Sequence, residues 1–405
     1  MAGLAELAYV VVNISAMPVY ILSIGLDVRW VGAVATAYLV MEGVMKSPFG
    51  LLGDRIGRRS LILVGPLVSC FTALLTPFIH HPGILILLRI VDGLGAAALW
   101  PSAFSLIGDH VPAEKRSAGM SLFNGAYMVG IALGPAIGGA TNDWAQHFLH
   151  LPISLAKSAS FYVASGIFAL TFITAAILIP KTTKAKHDPN DLGPGVEGGF
   201  SYPDFMAMLQ KLPMLLLMAF VLFMSVGLVM AYAKLFCMNM FDLSESRFGA
   251  LLIGPALVIA VVSVPLGTLG DKIGKVRAVQ IGIGTCMVAF WLLLAFPNQV
   301  MLILMGSLLG IGFVVAFPAW MAQVSEVCDP AQRGAAVGAV GTAQGLGAIV
   351  GVAISAFLYK IPAFKIGQIA IPDHSFPFLG CACMLTVSFI ISVFALKEHP
   401  PHKVC

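Results

Sequence analysis

Charged side chains are scarce in this chain. Asp, Glu, Lys and Arg together make up 10% of its 405 residues, while hydrophobic residues make up 59%. Soluble domains carry roughly 25% charged residues, so a water-soluble fold of this length is excluded. In lipid, only helices and closed barrels satisfy every backbone hydrogen-bonding group. The apolar runs continue for about 20 residues instead of alternating, which predicts helices that span a bilayer.

The residue groupings typical of enzymes and metal sites are also missing. The seven cysteines form no framework, since Cys381 and Cys383 stand without a second pair. None of the nine histidines lies deep in an apolar run, so the sequence offers no catalytic group at depth for a membrane-embedded hydrolase. No segment outside the runs is long enough for the soluble domain of a signalling receptor. We therefore expect no enzyme, no metal site, no cofactor and no nucleic-acid partner.

Twelve apolar runs predict an all-α membrane protein with twelve transmembrane helices. The first run lacks a charged leader and is too long for a signal peptide, so we expect it to remain as a helix. The predicted spans lie near Leu4–Leu26, Val31–Leu52, Leu61–Ile79, Gly83–Ile107, Ala118–Thr141, Ser158–Ile179, Pro213–Met238, Phe248–Leu266, Ala278–Phe296, Val300–Met321, Ala335–Tyr359 and Pro377–Leu396.

A polar segment rich in Pro and Gly, residues 181–212, separates the sixth span from the seventh. Such a composition is typical of a linker. The predicted organisation is an N-terminal six-helix bundle (1–180), a cytoplasmic linker (181–212) and a C-terminal six-helix bundle (213–405).

The distribution of Lys and Arg predicts the orientation of the chain. With the N-terminus inside, the loops and tail on the inner side carry fifteen of these residues and the outer side carries six, among them Lys157 and Lys234. This imbalance follows the positive-inside rule. It predicts a multi-pass protein of the plasma membrane with both termini in the cytoplasm.

The two halves are internal copies. Gly50-Leu51-Leu52-Gly53-Asp54-Arg55-Ile56-Gly57-Arg58 recurs as Gly267-Thr268-Leu269-Gly270-Asp271-Lys272-Ile273-Gly274-Lys275, at an offset of 217 residues. The same offset relates further pairs over some 85 residues: Gly93 and Gly310, Pro101 and Pro318, Asp109 and Glu326, Arg116 and Arg333, Gly130 and Gly347, and Gly134 and Gly351. A constant offset predicts two pseudo-symmetric bundles, an architecture in which substrate binds near the midplane.

Three motifs resemble those of the major facilitator superfamily, and the resemblance covers the whole chain. The loop after span two matches the signature of that family, and the motif in span five resembles that of its drug:proton antiporters. The motifs are Gly50-x3-Asp54-Arg55-x-Gly57-Arg58-Arg59, then Arg89-x3-Gly93-x3-Ala97 with Asp109-x2-Pro112-x3-Arg116, and Gly130-x3-Gly134-Pro135-x2-Gly138-Gly139.

The resemblance implies roles for two groups of residues. The signature loop and its repeat would latch the two bundles in the outward-facing state and release them when they rock, with the arginines of the loop pairing with Asp109. The smooth glycine face of span five would pack tightly against a neighbouring helix. These gating candidates are Gly50, Asp54, Arg55, Gly57, Arg58, Arg59, Asp109, Arg116, Gly130, Gly134, Pro135, Gly138, Asp271, Lys272, Glu326 and Arg333. Spans one, four, seven and ten would line the substrate cavity, with Asn13, Tyr20, Trp100, Phe223, Tyr232, Phe317, Trp320 and Gln323 as candidate contacts.

Ionisable groups inside spans are costly and usually functional. Only Glu42 and Asp92 lie well inside predicted spans; Glu6 lies at the edge of the first, and the second half has no carboxylate at depth. Lys46 follows Glu42 by four residues and Arg89 precedes Asp92 by three, so each carboxylate has a cation on its own helix face. Glu42 and Asp92 are therefore the candidates for carrying protons, with Arg89 tuning Asp92. The alternative is that Glu42 with Lys46 and Asp92 with Arg89 are two static ion pairs that hold the N-terminal bundle together.

These observations predict a proton-coupled secondary transporter that exports lipophilic or amphipathic molecules. The methionines and phenylalanines of span seven favour a pliable apolar lining. Two alternatives are a proton symporter that imports a sugar or organic acid, and a flippase for lipids or lysolipids. The expected partners are a small-molecule substrate and the bilayer, with protons as the coupling ion and a monomer as the working unit.

Overall fold

A computed structural model describes residues 1–110, 116–179, 213–267, 272–327, 333–366, 369–371 and 373–396. The predicted linker and Asp271 lie outside these ranges. For some residues within these ranges the structure describes the backbone and not the side chain; they include Asp54, Arg55, Asp109, Arg116, Glu326 and Arg333.

Helices occupy all six predicted spans of the first half of the chain. The first span is divided by a wide π-helical turn, Val11–Ala16, and a short 3-10 turn, Thr76–Phe78, ends the third. The helices are α1 (Ala2–Val10), α2 (Met17–Ser23), α3 (Arg29–Ile56), α4 (Arg58–Leu75), α5 (Pro82–His110), α6 (Arg116–His147), α7 (Ile153–Ala156) and α8 (Ala159–Leu178).

The second half repeats this arrangement and adds a two-stranded antiparallel hairpin. In the hairpin, Phe364 pairs with Ile371 and Ile366 pairs with Ile369. The elements are α9 (Pro213–Met230), α10 (Ala233–Phe241), α11 (Glu245–Gly267), α12 (Lys275–Ala295), α13 (Gln299–Val327), α14 (Arg333–Leu358), β1 (Phe364–Ile366), β2 (Ile369–Ile371) and α15 (Phe376–Ala395).

Nine helical stretches in the described part of the chain are long and apolar enough to cross a membrane. Together they account for nine of the twelve predicted spans. The other three predicted spans are also helical, within α3, α6 and α11. The chain is therefore an all-α protein built from long apolar helices, as the composition predicted.

The described residues form two compact units. The first contains residues 1–179 together with 233–250, and the second contains 213–232 together with 251–396. The segment 233–250 comprises α10 and the start of α11, which the sequence division assigned to the C-terminal bundle. It packs within the first unit because its buried charges find their partners there, as described below.

The internal repeat is visible in the packing of each unit. In the first unit, Gly65 of α4 lies against Leu99 of α5; in the second, Gly282 of α12 lies against Ala316 of α13. Both pairs are related by the offset of 217 residues. A side chain at either glycine would overlap the neighbouring backbone, so small residues permit the same close helix contact twice.

Two glycines shape the loops that carry the repeated signature motif. Gly57 ends α3 with φ of 93°, and Gly274 precedes α12 with φ of 96°. Residues with a side chain rarely adopt such positive φ values, whereas glycine does so without strain. The two copies of the motif thus share a backbone turn that explains why glycine stands at both positions.

Candidate transport site

The first unit contains a fully buried ion pair. Arg89 donates through Nη2 to Oδ2 of Asp92, one turn further along α5, and both side chains are at most 3% exposed. Thr72 of α4 donates to the other carboxylate oxygen, Oδ1, over 3.0 Å. The i, i+3 spacing brings the two charges onto one helix face, and the threonine supplies a further hydrogen bond to the charged carboxylate.

The Arg89 guanidinium also contacts two other helices of the unit. Its Nη1 donates to Oδ1 of Asn13 over 3.2 Å, and its Cζ lies 5.3 Å from the centre of the Tyr38 ring. The ring face favours a nearby cation. Arg89 therefore holds the first span, α3 and α5 together, with Asp92 as its counter-charge.

The second predicted pair also forms, in a wetter position. Lys46 Nζ lies 3.1 Å from Oε1 of Glu42, and their side chains are 36% and 15% exposed. Gly93, next to Asp92, lies against the backbone of α3 at Tyr38 and Glu42, where a Cβ would not fit. Because Gly93 has no side chain, α5 comes into close contact with α3. The two candidate carboxylates, Asp92 and Glu42, therefore lie on neighbouring helices.

A third carboxylate belongs to this region, although the sequence placed it at the edge of the first span. Glu6 is buried in α1 and hydrogen-bonds with the phenol of Tyr127 in α6. Tyr127 packs edge-on against Trp100, with ring centres 5.1 Å apart. The position of Glu6 near Met1 concealed its burial, because the packing of α6 against α1 covers it.

The first span changes its helical form where it meets these charges. From Val11 to Ala16 the turn is π-helical, and the N–H of Met17 bonds to the carbonyl of Val12, five residues back. Pro18 follows directly and has no N–H for the ladder. Single π turns of this kind occur often at functional sites. Asn13 and Ser15, two residues apart, both lie in this turn.

A second buried ion pair joins the segment 233–250 to the first span. Lys234 of α10 donates to Oε2 of Glu245, to the Ser15 carbonyl over 2.6 Å and to Ser15 Oγ over 3.1 Å. Lys234 is 1% exposed and the Glu245 side chain is 0% exposed. Glu245 precedes the predicted eighth span, Phe248–Leu266, and the sequence alone did not single it out. The reason is tertiary: Glu245 begins α11, and its burial comes from elements of the first half.

Glu245 has further partners in the first half of the chain. Lys157 Nζ lies 2.6 Å from Oε1, and Asn142 Nδ2 donates to Oε2 over 3.0 Å. Asn142 is itself held by the Ser160 N–H, which donates to its Oδ1 over 3.0 Å. One carboxylate thus faces two cations and an amide, an arrangement that satisfies the charges only while all the elements remain together.

Next to this pair, Asp143 caps the start of α11. Its Oδ2 accepts hydrogen bonds from the Ser246 N–H, over 2.9 Å, and from the Ser246 hydroxyl. Partial burial acts to raise the pKa of the Asp143 carboxyl, but the two bonds from Ser246 and the Lys157 charge outweigh it and leave the pKa below its usual value. A carboxylate at a helix N-terminus is also stabilised by the helix dipole.

The glycine motif of span five lies directly on these elements. Side chains at Gly130, Gly134 and Gly138 would overlap α1 and the π turn, and at Gly138 the overlap would be with Ser15. A side chain at the following residue, Gly139, would overlap the carbonyl of Glu245. Pro135 lies within α6, and its carbonyl faces Gly249 of α11. The motif therefore brings α6 into backbone contact with both Ser15 and Glu245.

The cavity candidates of the first unit have different surroundings. Asn13 bonds to Arg89, as above. Trp100 is 6% exposed and lies among the rings of Tyr9 and Tyr127. Tyr20 is 1% exposed, and its hydroxyl points to the carbonyls of Pro77 and Ile79, at 3.2 and 3.0 Å. Tyr20 thus fastens the end of the first span to the end of α4.

In the second unit, the aromatic candidates divide between core and partly open positions. Trp320 is buried in the core cluster, with Phe223 and Phe317 packed against it, and its Nε1 has no acceptor among the described residues. Tyr232 is buried and stacks on Tyr359 at 4.6 Å. Gln323 is buried as well.

The methionines of span seven differ among themselves. Met218 is fully buried, whereas Met214 and Met230 are exposed on the described structure. This side-chain pattern fits a helix with one face in the core and another outside it. A uniform methionine lining is therefore not what α9 presents.

The signature loop is only partly described. Arg59 donates from Nη2 to the carbonyl of Ala176, over 2.8 Å, at the end of α8. Gly50 lies 4.0 Å from the Pro101 side chain, measured from an ideal Cβ position. Lys272 is exposed at the repeated loop. The proposed latch between the arginines and Asp109 lies outside the described side chains and stays a prediction.

Comparison with known proteins identifies the family of this chain. The sequence matches the Major Facilitator Superfamily over residues 2–254 and again over residues 215–404. The chain belongs to the major facilitator superfamily. The two matches overlap over residues 215–254, and the second covers the second half of the internal repeat. Members of this superfamily are transporters, so this chain is a membrane transporter and not an enzyme.

Named relatives of this facilitator include proteins of drug resistance. Multidrug resistance protein 2 of Bacillus subtilis (strain 168) is 23% identical over 356 residues, which cover 86% of this chain and 84% of the relative. The quinolone resistance protein NorA of Staphylococcus aureus (strain MRSA252) is 26% identical over 177 residues, which cover 44% of this chain and 41% of NorA.

Solved structures share the fold at low sequence identity. The nucleoside transporter NupG superposes with a TM-score of 0.75 at 14% identity, covering 97% of this chain and 98% of NupG. A bacterial homologue of the human lysosomal transporter Spinster superposes with a TM-score of 0.72 at 16% identity, covering 97% of this chain and 93% of the homologue. These likenesses establish the facilitator fold.

Proposed function

We propose that this facilitator is a proton-coupled secondary transporter that exports lipophilic or amphipathic small molecules by alternating access. The observation that carries the proposal is the buried pair of Arg89 and Asp92, held by Asn13 and Thr72. A paired charge is the form in which an ionisable group is tolerated inside a membrane protein, and such groups commonly serve proton transfer.

The physical argument concerns the balance between two protonation states of Asp92. Burial favours the neutral acid, whereas the Arg89 guanidinium and the Thr72 hydroxyl favour the carboxylate. A change in water access shifts this balance, so Asp92 can take up a proton on one side and release it on the other. Glu42, with the more exposed Lys46, would be a second proton carrier on the neighbouring helix.

The direction of transport is proposed from two supports. The glycine motif that resembles drug:proton antiporters makes close backbone contacts with α1 and α11, and two relatives carry multidrug and quinolone resistance in their names. In the second unit, the aromatic side chains of Phe223, Phe317 and Trp320 would supply apolar contacts to a substrate. The Trp320 Nε1, which has no acceptor among the described residues, would supply a hydrogen-bond donor.

The remaining parts of the proposal follow the sequence analysis. Residues 1–180 and 213–405 would be the two rocking bundles, joined by 181–212, with the signature loops as their latch. Both termini would be cytoplasmic in the plasma membrane, and the working unit would be a monomer. Protons would be the only coupling ion.

The test uses purified protein in proteoliposomes that contain a pH-sensitive dye. An imposed proton gradient should drive accumulation of a quinolone or of tetraphenylphosphonium, with a matching change in internal pH. Asp92→Asn and Glu42→Gln together should abolish the coupled proton flux. Asp242→Asn is the matched control, because Asp242 is an exposed carboxylate outside the proposed site.

Three results would contradict the proposal. Coupled proton flux that survives in the double variant would remove Asp92 and Glu42 from the mechanism. Gradient-driven uptake of a labelled sugar or organic acid in the same direction as the protons would make the protein a symporter. Translocation of fluorescent lipids, without transport of the two drugs, would make it a flippase.

A further inference from the structure

The two buried ion pairs of the first unit meet at one turn of the first span. Arg89 reaches Asn13 from α5, and Lys234 reaches Ser15 from α10. Both contact residues lie in the π-helical turn Val11–Ala16. We propose that this turn couples the two pairs, so that Asn13, Ser15, Lys234 and Glu245 are positioning residues through which the protonation of Asp92 controls release of the segment 233–250. The proposal rests on the proposed function, since it takes Asp92 as a proton carrier.

The first step concerns Arg89. When Asp92 takes up a proton from water, the buried guanidinium loses its only counter-charge among its described contacts, and an uncompensated buried charge is strongly unfavourable. The groups that face it are the Asn13 amide and the Tyr38 ring. Tyr9 lies nearby, with its hydroxyl hydrogen-bonded to Ser69. The carboxylates of Glu6 and Glu42 interact electrostatically with both Tyr9 and Tyr38. Any shift of the guanidinium towards these carboxylates pulls on Asn13.

The second step concerns the wide turn itself. A π turn contains one residue more than an α-helical turn, and a small rearrangement moves the extra residue along the helix. Such a move would turn the Ser15 carbonyl away from Lys234 Nζ. The turn has little freedom on its other side, because Gly138 of α6 lies directly against the Ser15 side chain. A shift at Asn13 is therefore passed along the turn rather than absorbed.

The third step concerns Lys234. The Ser15 carbonyl, at 2.6 Å, is one of its three described acceptors, with Ser15 Oγ and Glu245 as the others. Without the two Ser15 contacts, Glu245 is the one described hydrogen-bond acceptor left to the buried ammonium, and Lys157 pairs with the same carboxylate. The Asp143 carboxylate also attracts Lys234, but it is bonded to Ser246. Hydration of Lys234 then favours release of α10 and the start of α11. By reciprocity of coupling, release of this segment would favour protonation of Asp92 in turn.

The test measures the exposure of Lys234 with an amine-reactive acetylating reagent and peptide mass spectrometry on the purified full chain. Labelling of Lys234 is divided by labelling of Lys360, which is exposed. Wild-type protein should show little labelling of Lys234, and Asp92→Asn should raise it about fivefold or more, the low end for coupled sites. Glu245→Gln, which breaks the pair directly, should raise it as well.

Two variants test the route. Asp373→Asn is the matched carboxylate-to-amide change, and it should leave Lys234 labelling at the wild-type level because Asp373 is exposed and belongs to the second unit. In an Asn13→Ala background, Asp92→Asn should add no further labelling, since the connection from Arg89 to the turn is gone. An equal rise in Asp92→Asn and Asp373→Asn, or an additive rise in the Asn13→Ala background, would overturn the coupling.

The remaining outcomes separate this inference from the proposed function. If Asp92→Asn abolishes proton coupling but leaves Lys234 protected, the coupling through the turn is wrong and the proposed function stands. If Asp92→Asn raises labelling but the double variant of Asp92→Asn and Glu42→Gln keeps its coupled proton flux, the turn connects the two ion pairs, but Asp92 carries no proton and the proposed function is wrong. Should Asp92→Asn not fold, Thr72→Val removes one hydrogen bond from the carboxylate and should raise labelling in the same direction by a smaller factor; unchanged labelling there would count against the inference.

Discussion

The close contact between α1 and α6 makes a quantitative prediction for Gly130→Ala. A Cβ at Gly130 would lie 2.6 Å from the carbonyl oxygen of Gly3 and 2.8 Å from the nitrogen of Leu7, both backbone atoms. Because a backbone cannot rotate away as a side chain does, the two helices have to separate. Overpacking typically costs about 1–3 kcal/mol, and a rigid neighbour puts this case near 3.

The control for this substitution lies in the same helix. No heavy atom of the described residues lies within 4 Å of the ideal Cβ position of Gly125, so Gly125→Ala should be tolerated. Alanine in a helix interior gains about 1 kcal/mol over glycine, which stabilises Gly125→Ala by that amount. The same gain reduces the net loss for Gly130→Ala to about 2 kcal/mol. The two variants should therefore differ by about 3 kcal/mol in the free energy of unfolding.

The assay is unfolding of the purified protein by titration from a mild detergent into sodium dodecyl sulfate, followed by tryptophan fluorescence. Coincident transitions by fluorescence and circular dichroism would justify a two-state analysis. Equal stability of Gly130→Ala and Gly125→Ala would refute the reasoning, because it would mean that α1 and α6 do not touch at Gly130.

Three further predictions follow from other contacts. The repeat predicts the same contrast in the second half: Gly347→Ala, whose Cβ would overlap the Phe220 backbone, should destabilise the protein relative to Gly345→Ala, whose Cβ would meet no described atom within 4 Å. Equal stabilities would contradict the repeat in packing. Because the pKa of Asp143 is lowered, its hydrogen bonds to Ser246 stabilise the folded state fully above about pH 4, the usual Asp value, and this stabilisation is lost as the pH falls through the lower folded pKa. Hydrogen exchange of residues 244–250 should show this loss, and the same pH profile in Ser246→Ala would contradict it. Tyr20→Phe should lower the free energy of unfolding by about 1 kcal/mol without changing quinolone transport, whereas a specific loss of transport would return Tyr20 to the substrate site.

Much of the fold could be predicted from local patterns in the sequence. The offset of 217 residues between the halves appears in matching helix contacts, such as Gly65 with Leu99 and Gly282 with Ala316. The pair of Arg89 and Asp92 was accessible because both residues lie on one helix, three positions apart. Features that depend on helix periodicity, or on repetition along the chain, can be read without knowing which helices touch.

The ion pair of Lys234 and Glu245 could not be predicted from such local patterns. Lys234 and Ser15 are 219 residues apart, and nothing local to either residue indicates the other. Glu245 follows a polar stretch, Ser244 being its neighbour, and so it reads as an exposed loop residue. Its burial comes from two residues of the first half, Asn142 of α6 and Lys157 in the turn after α7. A single sequence contains no signal for such a pairing between distant segments.

The glycines of span five and the second ion pair explain each other physically. The Ser15 carbonyl and Glu245 can share Lys234 only if the π turn, α6 and the start of α11 approach at backbone distance. Side chains at Gly138 and Gly139 would prevent this, the first by meeting Ser15 and the second by meeting the Glu245 carbonyl. A buried lysine and glutamate would then lack the partners that make their burial tolerable. The small residues thus permit a polar contact as well as an apolar one, which gives this glycine motif a reason to accompany transport that packing alone does not supply.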